Sequence, residues 1–415
     1  MASAPVWASM GNAPSSYGIL PGDVASAQSL SLFSSQISAV YYNPANLVKD
    51  RRGSLTLGML HADHDLKADG RRIEDRPSQQ LMLGLKTDLS RLTSSDHPIY
   101  FGLMAGVEKY GREMLSFSSN TQSGPQYLTY GRQPLFLTAG IGTQLWRGID
   151  AGIAARVTLH AEAKLYAGTS LGGDTSGEQL EVSAKPVVRP IVGFNLRWGE
   201  TFCDQAECWL DNLETALSYR ASSNTRTKVR ADITVPGVIQ SPGLQMAIRA
   251  YDAMQPDITT LGFKYDFGGM RLGLTGEYQA WGKQQRDLRH DTIKDQGQIN
   301  FRDIIIPRVG MEVDLSDSLM LTVGVARERS PLASTRTLDV NYIDANKTVF
   351  GLGLSAQIPR VPLLAWPVQL DLGYQYQHLD KRDFQLSSSA TPGSYATVTT
   401  RGDVNVFVGS VSVNF

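Results

Sequence analysis

The last stretch of the chain, Asp403 to Phe415, reads DVNVFVGSVSVNF and ends on an aromatic residue. Every second residue counted back from the end gives Phe415, Val413, Val411, Gly409 and Phe407, an apolar face with an aromatic ring at each end. The other parity gives Asn414, Ser412, Ser410, Val408 and Val406, which is partly polar. A closing strand of this kind is typical of bacterial outer-membrane β-barrels, where alternate residues face lipid and lumen. A soluble sandwich would use the same alternation with core and solvent exchanged.

The rest of the chain repeats the pattern. Val309, Met311 and Val313 alternate with Arg308, Gly310, Glu312 and Asp314, and Val368, Leu370, Leu372, Tyr374 and Tyr376 alternate with Gln369, Asp371, Gly373, Gln375 and Gln377. Period-2 segments of this kind lie at roughly 53–63, 80–89, 99–109, 133–146, 149–164, 186–199, 213–222, 258–267, 270–281, 302–314, 318–327, 347–357, 367–378 and 403–415. That makes about 14 strands, an even number as single-chain bacterial barrels require. Short links (Arg147-Gly148, Gly268-Gly269, Leu315-Ser316-Asp317) alternate with long ones (110–132, 223–257, 379–402), as periplasmic turns alternate with extracellular loops. The expected fold is therefore all-β: a transmembrane antiparallel barrel over 53–415, preceded by an N-terminal plug over 1–52. That first segment is rich in Ala, Ser and Gly, and a lumen of this width needs filling.

Composition narrows the function. No run of about 18 apolar residues exists, so a helical span is excluded. A net charge of −1 carries no basic footprint for nucleic acid. Cys203 and Cys208, five residues apart, fit a disulfide-closed loop in an oxidising compartment, with two free thiols as the alternative; a metal site lacks ligands there. The N-terminus MASAPVWASMGN has no basic segment followed by an apolar run, so a secretory leader is expected upstream or replaced.

Four patches, in order, carry a family resemblance: AVYYNPANL (39–47), ALSYRASSNTRTKVRADI (216–233), PDITTLGFKYDFGGMRLGLTGEYQAWGK (256–283) and FRDIIIPRVGMEVDLSDSLMLTVGVARERSPL (301–332). Together the chain resembles the FadL-type long-chain fatty acid transporters of Gram-negative outer membranes. The resemblance implies passive movement of hydrophobic molecules, with capture outside, a plug in the lumen and a sideways exit through the wall. It departs from the family after the Ser330-Pro331 pair, where Asp344-Ala345-Asn346-Lys347 replaces the usual Asp-Arg, and in the third strand and first long loops.

Each part of that route has candidate residues. Asn43, Pro44 and Ala45 are candidates for a gating turn of the plug, since Pro44 fixes its own φ and biases Asn43 to be extended. In the loop Val235 to Asp257, Val238, Ile239, Leu244, Met246, Ala247, Ile248, Tyr251 and Met254 are candidates for ligand capture. The spacing of Leu244, Ala247, Ile248 and Tyr251 predicts a helix with an apolar face. Packing against neighbouring loops is the competing reading of that face. Gly102 and Gly106 lie on one face of the third strand, where a glycine kink could open the wall. Arg308 is the first choice among lumen charges to fork onto a fatty-acid carboxylate.

The expected partners are fatty acids or hydrocarbons, outer-membrane lipids and lipopolysaccharide, with the protein working as a monomer without cofactor. Fatty acids head the ligand expectations. Channels for alkanes or aromatic hydrocarbons, and an exporter of oxidised lipids, are the alternatives. A lipid-modifying enzyme built on His61, Asp63 and His64 is the competing class, but no G-x-S-x-G motif accompanies them.

Overall fold

Alternation along the strands becomes alternation of environment. In the computed structural model, Ser54–Ala68 (β1) exposes Leu55, Leu57 and Met59 at 46%, 52% and 62% while the residues between them are buried. The structure describes residues 16–72, 77–92, 97–109, 113–117, 126–130, 135–169, 175–203, 208–235, 239–289, 300–334, 336–337, 344–362, 364–387 and 395–415; side chains of 91, 108–135, 158–185, 223–254, 284, 287–289, 336–337, 386–387 and 395–396 are outside that description. Val238 lies outside the described residues.

Thirteen further strands complete the wall: Ser78–Asp88 (β2), Ile99–Lys109 (β3), Leu135–Trp146 (β4), Ile149–Thr169 (β5), Thr175–Arg197 (β6), Leu213–Arg220 (β7), Asp257–Asp266 (β8), Met270–Ala280 (β9), Ile304–Ser316 (β10), Leu319–Glu328 (β11), Lys347–Ile358 (β12), Val368–Ser387 (β13) and Tyr395–Asn414 (β14). Each pairs antiparallel with its neighbours in sequence order, and β14 returns to β1 with Ser54 opposite Asn414. The 14-strand ring is thus closed, and Gly53 and Phe415 exchange backbone hydrogen bonds at the seam. A closed ring has no unpaired edge.

The short turns sit at the end that carries the seam. Gly148, Gly268 and Gly269 there have φ of +72°, +79° and +108°, a backbone that residues with a Cβ rarely adopt. At the opposite end β5, β6, β13 and β14 run past the wall, and Ser223–Val235 with Ile239–Gln255 forms a hairpin rising from β7 and β8. Its first strand also pairs in parallel with β5, from Lys228 opposite Glu162 to Thr234 opposite Gly168.

That hairpin corrects the helix expected from Leu244, Ala247, Ile248 and Tyr251. The segment is extended, with Ile248 opposite Val229 and Leu244 opposite Ile233. Its apolar residues satisfy both periods, and pairing with the preceding strand of the hairpin decides between them.

Residues 16–52 lie inside the ring. They contain two short helices, Pro21–Ala25 (α1) and Ala39–Tyr42 (α2), and 3₁₀ turns at Ser31–Phe33 and Pro44–Val48. Nearly every residue from Tyr17 to Val48 is buried, with Ser34 to Gln36 the more open stretch. The chain coils around the inner wall. Pro21 lies against β13, Ala25 against β12, Ser26 against β11, Ser29 against β10, Leu30 against β9 and Leu32 against β8. Asn43 and Pro44 then reach β6, β5 and β4, and Val40 and Ile37 reach β3 and β2.

Candidate functional site

The coil can lie so close because the wall offers it glycine. Gly142, Gly152 and Gly193 are direct cross-strand partners on β4, β5 and β6; Gly273, Gly310, Gly324 and Gly351 form a second such row on β9 to β12. A Cβ on Gly152 would collide with the Pro44–Ala45 peptide, and one on Gly310 with Ser29. The two rows are flat shelves for backbone.

Asn43 fastens the turn that rests on the first shelf. Its extended backbone (φ −158°, ψ 93°) ends α2 and caps the following turn, where its Oδ1 accepts from the Ala45 N–H at 3.3 Å. Its Nδ2 donates to the carbonyls of Leu32 at 3.2 Å and of Phe194 in β6 at 3.3 Å. Asn43, Pro44 and Ala45 therefore join two parts of the luminal segment to the wall. Asn46 adds a 2.6 Å bond to the same Leu32 carbonyl.

Charged side chains hold the segment elsewhere. Glu214 on β7 pairs with Lys49 and, at 2.6 Å, with Lys264 on β8; both cations also lie over the Phe33 ring. Arg220 on β7 pairs with Glu277 at 2.6 Å and stacks over Tyr41 and Tyr42. Arg156 on β5 donates to Gln255 at 2.9 Å and also faces Tyr41. Lys86 on β2 donates to the Ser35 carbonyl at 3.0 Å. Arg308 donates to the Ala27 carbonyl at 3.0 Å and stands 3.6 Å from Glu277. Within the segment, burial pushes the Asp23 carboxyl up to about 6, opposed by the hydrogen bond it accepts from the Leu20 N–H.

The inner surface is two-sided. On one arc, Met82, Met104, Phe136, Ala154 and Ile191 of β2 to β6 pack with Ile19, Leu20, Ile37, Val40 and Leu47 of the luminal segment. The arc continues through Leu60, Ala62, Val404, Val406 and Val408 of β1 and β14, against Tyr17 and Val24. Gln80, Thr138 and Arg156 border it on its own strands. On the other arc, β7 to β13 present Arg220, Glu277, Gln279, Arg308, Asp371, Gln375 and Gln377, all buried. The first arc offers an apolar molecule the larger continuous surface; on the second, Ala216, Ile258, Ile306, Ala326 and Val349 are interspersed among these polar groups.

Gly102 and Gly106 both belong to the apolar arc. Gly102 receives Val40, Leu47 and Ile37 of the luminal segment, and Gly106 receives the Phe136 ring from β4. The ladders of β3 to β2 and to β4 run without a register shift. The capture candidates Ile239, Leu244, Met246, Ala247, Ile248, Tyr251 and Met254 all fall on the extracellular hairpin strand. Cys203 and Cys208 form a disulfide in the link between β6 and β7.

Several participants escaped the sequence reading: Lys49, Glu214, Lys264, Arg220, Lys86, Phe136 and the glycine shelves. The recurrence of glycine in every wall strand except β7 was the available signal, and it becomes meaningful only once the strands are in register.

The chain matches no family model. It is 48% identical to Alkane uptake protein A of Marinobacter nauticus, over all of this chain and 93% of that protein. A FadL homologue of Pseudomonas aeruginosa has a similar fold, with a TM-score of 0.63 at 14% identity over 95% of this chain and 98% of the other. The toluene transporter TodX of Pseudomonas putida aligns with a TM-score of 0.56 at 13% identity over 96% and 99%.

Proposed function

Because the chain belongs to the FadL-type family of outer-membrane transporters of hydrophobic molecules, we propose that its cargo is neutral hydrocarbon, alkanes in particular, taken up passively. Capture takes place on the extracellular hairpin, passage along the apolar arc, and exit sideways through the wall at β3. Residues 1–52 act as the plug and 53–415 as the barrel. The single observation that carries this reading is the two-sided lumen. The ion pairs of Glu214 and the stacking of Arg220 tie the plug to β7 and β8. Near Gly102 on β2, β3 and β4 it is held mostly by apolar packing, with hydrogen bonds from Lys86 to the Ser35 carbonyl and from Tyr100 to the Arg51 carbonyl as the polar ties. A hydrophobic guest can replace apolar contacts with its own at little cost, but it cannot replace the partner of a buried Arg or Glu. The guest therefore enters on the apolar side.

The named cations favour a neutral cargo, since Lys49, Lys86, Lys264, Arg156, Arg220 and Arg308 each have an acceptor within the protein. A second reading, fatty acids, is supported by one observation: Nε and Nη1 of Arg220 and Nε and Nη2 of Arg308 are buried donors without a hydrogen-bond acceptor among the described residues. A carboxylate could be forked by such groups. A closed ring supports a monomer in contact with outer-membrane lipid and lipopolysaccharide. Binding of labelled n-hexadecane and labelled oleate to the protein in lipid nanodiscs separates the two cargoes. Saturable hexadecane binding that oleate displaces weakly supports alkanes; saturable oleate binding with none for hexadecane overturns them.

A further inference from the structure

Among the wall glycines described above, most are filled by the luminal segment; Gly106 is filled by a ring from the wall itself. A Cβ there would stand 2.5 Å from Cζ and 2.6 Å from Cε1 of Phe136, and 2.5 Å from the Leu81 carbonyl oxygen. Phe136 is the direct cross-strand partner of Gly106, and Met82 is its partner on the other side. The ring is 2% exposed and shares its apolar cluster with Met82, Met104, Ile37 and Val40. On the rungs to either side, Leu81, Val107 and Leu137 are exposed on the outer face. Lumen and bilayer are separated here by one thickness of backbone, and Phe136 covers it.

We propose that Phe136 gates the sideways exit and sets the width of hydrocarbon that leaves by it; this rests on the route proposed above. A glycine in a strand leaves its backbone free to bend, and an aromatic ring laid across it from the neighbouring strand holds it flat. When the plug shifts, the notches it filled are vacated, but Gly106 stays covered until the ring turns about its side-chain bonds. A guest on the apolar arc lies beside Met82 and Met104 and can take over the ring's contacts. The ring then leaves the notch and β3 can bend at Gly106 towards the lipid side. Because the opening is one side chain wide, it discriminates by cross-section.

The test compares uptake of labelled n-dodecane and cyclododecane, which have the same carbon count and different width. The strains carry the parent protein, Phe136→Ala, Phe136→Leu or Phe136→Tyr, each checked as a folded barrel by heat-modifiable migration. A further strain carries Ala105→Cys with Leu137→Cys, directly paired residues on β3 and β4, to staple the exit shut. One or two methylene groups in an apolar contact discriminate by roughly tenfold, so Phe136→Ala is expected to raise cyclododecane uptake about tenfold relative to n-dodecane. Phe136→Leu shifts the ratio the same way by less, and Phe136→Tyr keeps the parent ratio. The oxidised staple stops uptake of both, and dithiothreitol restores it, with reductant-treated parent as control. If the staple stops uptake while Phe136→Ala and Phe136→Leu leave the ratio within about twofold of parent, the gate is overturned and the sideways route stands. If the oxidised staple transports both at the parent rate, the sideways route fails and the gate with it.

Discussion

Gly152→Ala tests the shelf that supports the Asn43–Pro44–Ala45 turn. The added methyl would stand 2.6 Å from the Pro44 carbonyl oxygen and closer still to its carbon and to the Ala45 nitrogen, where ordinary contact begins at 3.4 Å. Backbone must retreat by most of an ångström, since no flexible side-chain end is available to yield. Overpacking of this kind costs about 1–3 kcal/mol. The retreat also stretches the two bonds from Asn43 Nδ2 to the Leu32 and Phe194 carbonyls, each worth about 1 kcal/mol. With partial loss of those bonds the seat weakens by about 2–4 kcal/mol, which raises the open population roughly 30- to 700-fold. Hydrogen exchange on the protein in nanodiscs reads that directly. Amides of residues 39–48 should exchange faster by that factor, while those of β14 keep their protection. Exchange in 39–48 within about threefold of parent would refute the shelf argument.

Other expectations follow the same contacts. Glu214→Gln leaves Lys49 and Lys264 facing each other without their shared anion; breaking a buried pair costs about 3–5 kcal/mol, so exchange at 44–50 should accelerate at least as much as in Gly152→Ala. Asp23 titrates near 6 in the seated segment against a reference of 3.8, so protonation favours the seated form. That stability is complete below about pH 4 and declines as pH rises through 6, by at most about 3 kcal/mol. Exchange of residues 19–25, corrected for intrinsic rate, should therefore be faster at pH 7.5 than at pH 5, and Asp23→Asn should flatten the difference. Met246→Asp combined with Ile248→Asp on the extracellular hairpin is expected to weaken n-hexadecane binding while the barrel folds; undiminished binding would remove the hairpin from capture.

Much of this architecture was legible because the bilayer imposes a local rule. Phe415 to Phe407 alternate as lipid and lumen require, and Gly148, Gly268 and Gly269 mark turns whose φ is positive. The rule stops where the lipid stops. Period-2 alternation ends near residue 164 in β5, begins only at 186 in β6 and 403 in β14, and fades after 378 in β13, yet the strands run on to Thr169 and Ser387 and start at Thr175 and Tyr395. Above the wall there is no lipid face, so strict alternation is not demanded. The same loss of contrast explains the extracellular hairpin, where Leu244 and Ile248 suit a helix as well as a strand. The site was less legible still. Asn43 and Gly102 stand out in isolation, but Glu214, Arg220 and Phe136 acquire meaning only from neighbours far away in sequence. Lys49 and Glu214, for instance, are brought together by the return of the chain through its own barrel.

The most direct measurement is uptake of labelled n-hexadecane by a Gram-negative host lacking its own FadL-type transporter, with and without this gene, and with the barrel verified in the outer membrane. Uptake above the empty-vector rate, saturating with concentration and insensitive to collapse of cellular energy over the first seconds, is the result this account requires. A rate equal to empty vector with the barrel in place would contradict it.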